Sequence, residues 1–205
     1  MNVVESMKLT DKRILLVGST GILGRGYARA IVDAGAKLVI ADRPESDVIN
    51  YAEELGVTGV EMDVTNEDAV VSGINDSVAL LGGLDGAVMN AAATGEGLMS
   101  EGDAFAPFET YPLDVWQKTI DINLTGTFLV AREAGRAIKE TGGGSLITVS
   151  SIYGVVGPDH RIYNDQPFKS FPGYSASKAG VIGLTRWAAT WWAKDGVRVN
   201  SITPG

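Results

Sequence analysis

Tyr174 and Lys178 stand four residues apart, separated only by Ser175, Ala176 and Ser177, directly after Pro172 and Gly173. The Pro-Gly pair marks a helix start, and residues at i and i+4 then share one helix face with Cβ atoms roughly 5–6 Å apart. The phenol and the ammonium therefore meet. A tyrosine ordinarily titrates at about 10, too high to act as a base at neutrality. An adjacent ammonium favours the phenolate and lowers that value, so the pair becomes a proton donor and acceptor usable near neutral pH. The small residues between them leave room for something flat and large. The spacing alone recurs by chance in many helices, so the surrounding sequence has to decide.

A second candidate lies near the N-terminus, in "GSTGILGRG" from Gly18 to Gly26. Gly18, Gly21 and Gly24 fall at three-residue spacing after an apolar run and before a helical pattern. Such a turn must be tight, must let backbone N–H groups approach a pyrophosphate, and must pack its helix close to a sheet. The next apolar run ends in Asp42, 24 residues after Gly18. A carboxylate there accepts ribose hydroxyls and repels a 2′-phosphate, which favours NAD; Arg43 beside it could pair with that phosphate and keeps NADP open.

These residues need a scaffold, and the chain supplies a repeating one. Short apolar runs at 13–18, 37–42, 59–64, 84–90, 144–151 and 197–203 alternate with helical patterns at 23–34, 46–55, 67–81, 113–139 (two helices) and 174–194. Near-continuous apolar strands separated by helices mean an α/β protein whose parallel sheet is covered on both faces. No repeat or linker divides the chain, so residues 1–205 form one domain. Segments 91–111 and 154–172 break the rhythm, and both follow strand C-terminal ends, where open α/β sheets bind ligands.

Composition excludes several other classes. A net charge of −8 without a Lys/Arg-rich run argues against nucleic acid as a partner. There is no cysteine, and His160 is the only histidine, so thiolate chemistry is excluded and no metal site is expected. The apolar run from Ile14 is too short for a leader or a membrane span, which makes a cytoplasmic protein with no membrane partner the default expectation.

Several motifs occur in one order: "GSTGILG", "DVT" at Asp63, "MNAA" from Met89 to Ala92, "WQKTIDINLTGTF" with Asn123, "ITVSS" ending at Ser151, "YSASK" and "RVNSITPG". Together they resemble the single-domain branch of the short-chain dehydrogenase/reductase family over essentially the whole length. The resemblance implies a Rossmann-type doubly wound sheet in the order 3-2-1-4-5-6. It also implies NAD(P)-dependent hydride transfer between a secondary alcohol and a ketone, in a homodimer or homotetramer. By the same resemblance Tyr174 is the acid/base and Lys178 holds the nicotinamide ribose and tunes the tyrosine. Ser151 bonds the substrate oxygen, and Asn123 anchors a water that links Lys178 to solvent. The cofactor-binding set it implies is Gly18, Thr20, Gly21, Leu23, Gly24, Asp42, Arg43, Asp63, Val64, Asn90, Ala92, Tyr174, Lys178, Pro204 and Gly205.

The chain also departs from that pattern. Val17 stands where the family has threonine, Ile22 where its middle glycine falls, and "MNAA" replaces Asn-Asn-Ala-Gly. Ser150 and Ser151 should point to opposite faces by strand alternation, with the family's pattern favouring Ser151 for the substrate. The chain stops at Gly205, whereas family members continue into a substrate-covering segment and a last strand, so a C-terminally truncated member is expected. Ser151 and Tyr174 are 23 residues apart, a longer interval than the family shows. The extra stretch brings Asp159, His160, Arg161, Tyr163, Asn164 and Asp165 to the mouth of the proposed site, which suits a sugar, a sugar acid or another polar substrate, or leaves a plain solvated loop. Trp187 and Trp191 form an i, i+4 aromatic stripe, read either as core or as a subunit interface. A 3-oxoacyl-carrier-protein reductase, an epimerase or dehydratase, and a catalytically idle dinucleotide-binding protein stay open beside the dehydrogenase.

Overall fold

The computed structural model describes residues 7–94, 104–164 and 169–205. Six strands pair in parallel in the order β3-β2-β1-β4-β5-β6: β1 Arg13–Val17, β2 Lys37–Asp42, β3 Thr58–Glu61, β4 Gly86–Met89, β5 Gly144–Val149 and β6 Val197–Ile202. The order is the one implied by the motifs. Helices α1 Ile22–Asp33, α2 Val48–Leu55, α3 Glu67–Leu81, α4 Leu113–Ile120, α5 Gly126–Glu140 and α6 Pro172–Trp191 connect them.

Alternation within the strands explains the two-sided cover. Leu15 and Val17 face a core shared with α3 and α5, through Val70, Ile74, Ala134 and Ile138. Leu16 and Ile40 face the opposite side, against Ala28 of α1 and Val48 and Tyr51 of α2. Each fully buried Leu or Ile side chain contributes roughly 1.5–3 kcal/mol. Apolar residues at consecutive strand positions are therefore what a sheet with helices on both faces demands.

The register aligns the strand ends that build the site. Val17 pairs with Ala41 and Met89, and Met89 pairs with Thr148. Gly18, Asp42, Asn90 and Ser150 consequently emerge along one edge of the sheet.

Two boundaries differ from the pattern in the sequence. β3 ends at Glu61 rather than at 64, because the Asp63 carboxylate accepts from the N–H and the hydroxyl of Thr65 and turns the chain toward α3. The 113–139 pattern does split in two, and the join is a π-helical stretch, Asp121–Thr125. Thr127 donates its hydroxyl to the Asn123 carbonyl there, and a Cβ on Gly126 would lie 2.8 Å from Val64 Cγ2. The wide turn thus brings this helix down onto the C-terminal side of β3.

At the opposite edge Asp85 ties β1 to the turn before β4. Its carboxylate accepts from Arg13 N, Nε and Nη2 at 2.8–2.9 Å. The Arg13 guanidinium holds Asp85 down to about 2, against an ordinary value of 3.8. The depressed value means that this stabilisation is full above the unfolded value and is lost as pH falls toward 2. Asp85→Asn should cost about 1–2 kcal/mol at pH 7, after allowance for solvent screening, and progressively less below pH 4. Urea midpoints of the two proteins at both pH values measure this difference; an unchanged gap at low pH contradicts it.

Candidate active site

The glycine loop is shaped by close approach at two of its three glycines. Gly18 sits at φ 81°, and a Cβ there would lie 2.3 Å from Ala91 N. A Cβ on Gly24 would lie 2.2 Å from the Gly18 carbonyl oxygen, so α1 packs directly on the turn. Gly21 differs: a Cβ there would meet nothing within 4 Å. It is the N-cap of α1, which has no side-chain cap and no acidic residue in its first turn. The loop therefore presents bare backbone N–H groups and the positive end of a helix dipole to an open space.

Polar side chains lock this turn. Asn90 Nδ2 donates to the Gly18 carbonyl at 2.6 Å. Asp42 Oδ2 accepts from Thr20 N at 2.9 Å and from Thr20 Oγ1 at 2.7 Å, while Oδ1 accepts from Arg43 N at 2.9 Å. Asp42 thus holds the loop as well as standing at the tip of β2.

The open space is a cleft of about 1330 Å³ across the strand ends. Of the residues singled out from the sequence it is lined by Gly18, Thr20, Gly21, Leu23, Asp42, Arg43, Asp63, Val64, Asn90, Ala92, Tyr174, Lys178 and Pro204. Gly24, Asn123, Ser151 and Gly205 do not line it. Gly24 lies beneath the loop, and Gly205 stands beside Ile152, where a Cβ would come within 3.3 Å of Cγ2.

At the far end of the cleft α6 brings Tyr174 and Lys178 together. Pro172 occupies the first turn of the helix, so its fixed φ and missing N–H start the helix two residues before Tyr174. Lys178 Nζ lies 5.6 Å from the centre of the Tyr174 ring, which itself leans on Phe171. The amine is buried, donates to the Val149 carbonyl at 2.8 Å, and is pushed down to about 8 by burial. It is thus a group that exchanges a proton close to neutrality.

Asn123 is 0% exposed. Its Oδ1 accepts from Ala93 N at 2.6 Å, and its Nδ2 donates to Ser177 Oγ at 3.1 Å. Ser177 in turn donates to the Tyr174 carbonyl at 2.9 Å. The π-helical turn, the strand end after β4 and the first turn of α6 are therefore joined through one amide. Ser177 was visible in "YSASK" only as a small residue; its bridging role depends on which face of α6 meets Asn123.

The two serines after β5 divide in an unexpected way. Ser150 lines the cleft, but its hydroxyl donates to the Lys178 carbonyl at 2.8 Å. Ser151 Oγ accepts from Tyr153 N at 3.2 Å, and among the described residues its own proton meets no acceptor. Both lie beyond Val149, the last residue of β5, so strand alternation does not govern them.

Of the polar segment after Ser151, Tyr163 reaches the cleft, and so does Tyr153. Their hydroxyls are 2.6 Å apart. Asp159 instead pairs with Arg161 in solvent. His160 and Asn164 do not line the cleft. Asp165 lies outside the described residues. The signal for Tyr153 was its place two residues after Ser151; nothing in spacing alone pairs it with Tyr163.

A doubly wound parallel sheet, a bare glycine turn opening a helix and a Tyr-Lys pair across one cleft define a dinucleotide-dependent oxidoreductase. The family described as short chain dehydrogenase matches residues 12–205. The cis-4-hydroxycyclohexanecarboxylate dehydrogenase of Sinomonas cyclohexanicum is 34% identical over 199 residues, covering 95% of this chain and 73% of that protein. A 3-alpha-(or 20-beta)-hydroxysteroid dehydrogenase of Mycobacterium bovis is 35% identical, covering 98% and 70%. The crystal structure of a short-chain type dehydrogenase/reductase from Mycobacterium marinum superposes with a TM-score of 0.83 at 31% identity, covering 100% of this chain and 78% of that one. The chain belongs to the short-chain dehydrogenase/reductase family, whose members use NAD or NADP to act on CH–OH groups. Among the described residues no helix is long and apolar enough to cross a membrane, and no cluster of metal-ligating side chains occurs.

The glycines separate fold from ligand. Gly24→Ala should lower stability by about 1–3 kcal/mol through overpacking. Gly21→Ala should cost less than about 1 kcal/mol, yet weaken cofactor binding roughly tenfold or more, because its methyl enters the open space. Thermal melting beside a fluorescence titration with NADH reads both; equal affinity in Gly21→Ala and the parent removes the loop from the cofactor site.

Proposed function

We propose that this chain interconverts a polar secondary alcohol and the corresponding ketone, with Tyr174 as the proton-transferring residue. The observation that carries it is the geometry of α6: a phenol on the cleft wall, one turn from a buried amine anchored to the end of β5. The residues fit a nicotinamide dinucleotide, with an open turn at Gly21 for the pyrophosphate and Pro204 across the cleft. When bound, that group supplies the hydride acceptor or donor.

The chain's own groups then divide the remaining work. In the oxidative direction Tyr174, as phenolate, takes the proton of the substrate hydroxyl; in the reductive direction its phenol gives that proton to the carbonyl oxygen. Lys178, whose amine burial pushes down to about 8, would hold the ribose of the bound cofactor. Ser151 holds the reacting oxygen, since its proton is unengaged among the described residues, whereas the Ser150 proton is held by the Lys178 carbonyl. Asn123 fixes the relative position of α6 and the π-helical turn through its bonds to Ala93 and Ser177.

NAD is the favoured cofactor. Asp42 puts negative charge at the tip of β2, where a 2′-phosphate would have to lie, and Arg43 is the weaker counter-signal. A polar ring alcohol is the favoured substrate, in keeping with the hydroxycyclohexanecarboxylate named for one relative and with the phenols on the cleft wall. Tyr174→Phe should bind NADH as the parent does, tighter than NADPH, and lose turnover by at least about 10³-fold. Steady-state kinetics on cyclic and acyclic alcohols, with titrations of both cofactors, test this. Retained turnover removes Tyr174 from the chemistry, and tighter NADPH binding removes the role given to Asp42.

The assembly we propose is a homo-oligomer formed across α6. Trp187 and Trp191 stack at 5.3 Å between ring centres and are 60% and 66% exposed, so they are not core; Trp192 packs inward on Gly135. Two exposed, stacked indoles on a helix face fit a partner of the same kind. Sedimentation should show a dimer or tetramer that Trp187→Ser with Trp191→Ser converts to monomer; an unchanged sedimentation coefficient places the interface elsewhere.

A further inference from the structure

Three consecutive residues lead into α6 along the cleft wall. Lys169, Ser170 and Phe171 all line the cleft, as Tyr174 does at the start of the helix. Phe171 anchors them. It is 5% exposed, its ring lies 6.3 Å from that of Phe105 and 5.6 Å from that of Tyr174, and its carbonyl accepts from Tyr174 N at 3.2 Å. The two residues before it carry polar groups that none of the chemistry assigned above uses. Lys169 is exposed, and among the described residues its amine makes no ion pair or hydrogen bond. The Ser170 hydroxyl is buried and also has no hydrogen-bond partner among the described residues.

From this we infer that Lys169 and Ser170 form a subsite for a carboxylate of the substrate, so that the alcohol turned over belongs to a hydroxy acid. The inference deepens the function proposed above and rests on it.

The donor chemistry selects the ligand. A buried hydroxyl without a partner has lost its water and gained nothing for it, so an acceptor arriving in the cleft removes that cost. A carboxylate only accepts, and both the amine and the hydroxyl can donate to it. Hydrogen bonds to an ionised group are stronger than those between neutral groups. An exposed lysine alone would select weakly, because a solvated ion pair contributes little. The adjoining hydroxyl gives the contact a direction, and the Phe171 ring supplies an apolar face for the body of the substrate. The other cations of this region are committed elsewhere. Lys178 is bonded to the Val149 carbonyl, Lys118 has a partner of its own, Arg161 is paired with Asp159, and Arg43 stands at the tip of β2. Asp114 and Asp121 also line the cleft, and Asp121 already accepts from Gln117 Nε2 at 2.7 Å; neither pairs with Lys169. A site whose polar groups match a substrate oxygen discriminates against the analogue that lacks it, because the groups are then left unpaired.

The test compares cis-4-hydroxycyclohexanecarboxylate with its carboxamide, which keeps the shape and drops the charge, using the full-length enzyme loaded with NAD. In the parent, kcat/KM for the acid should exceed that for the amide about tenfold, with KM carrying the difference. Lys169→Met and Ser170→Ala should each cut this ratio by at least about threefold, and Lys169→Arg, which keeps the charge, should retain most of it. Calorimetry on the Tyr174→Phe background, where no turnover occurs, should give the same ratios as affinities. Circular dichroism melts confirm that the variants are folded. No preference for the acid in the parent, a ratio that survives either Lys169→Met or Ser170→Ala, or a ratio lost as fully in Lys169→Arg as in Lys169→Met overturns the subsite. An acid preference in binding that depends on both residues, without turnover of either compound by the parent, supports the subsite and overturns the function proposed above instead.

Discussion

The site depends on one buried amine. Lys178 is 3% exposed and is held at 2.8 Å by the carbonyl that ends β5. A lysine in that position carries a desolvation penalty, visible in its lowered proton affinity, and burial is what lowers it. The structure around it is built to keep it there. Ser150 bonds the Lys178 carbonyl, and Gly154 lets the following turn press against the same peptide group. The penalty makes chemical sense: an amine that titrates near neutrality exchanges protons with its surroundings, which a solvated lysine at about 10.4 does not.

A second constraint runs at right angles to the first. Asn123 lies in a π-helical turn, fully buried, with both ends of its amide satisfied by Ala93 and Ser177. A buried amide whose hydrogen bonds are complete fixes geometry more sharply than apolar packing, because any slip leaves a polar atom unpaired. Through it the loop after β4, the α4–α5 join and the start of α6 are tied together. The phenol of Tyr174 is therefore aligned by bonds that never touch it.

How much of this was legible in the sequence follows from the range of each interaction. Strands and helices were open to view because aliphatic runs and helical periodicity are local and repeat along the chain, whereas the strand order came only through the resemblance of the motifs. The Tyr174–Lys178 pair was legible for the same reason, being four residues apart on one helix. The Ser151–Tyr153 contact is local too, but its meaning depends on where β5 stops. Asn123 to Ser177 spans 54 residues and Tyr153 to Tyr163 bridges two loops, so neither pairing has a period or a spacing that announces it. Trp187 and Trp191 show the limit of composition: indoles in a helix suggest a core, and only the rotation of α6 against the sheet, with Trp192 turned inward, leaves the other two outside.

The glycine loop shows how a departure in sequence can preserve a physical requirement. A nucleotide needs one position free of a side chain at the start of α1, beside uncapped N–H groups. Ile22 occupies the place where the family's middle glycine falls, and it is 85% exposed and lines the cleft. One residue earlier, Gly21, which has no Cβ, leaves the N-cap of α1 open, which fits the cofactor role proposed for this turn. Gly18 and Gly24, which hold the turn against Ala91 and against each other, cannot shift in this way, because each faces backbone closer than a methyl group can stand. Of the three glycines, two answer to packing, and Gly21 alone leaves open space at the N-cap of α1.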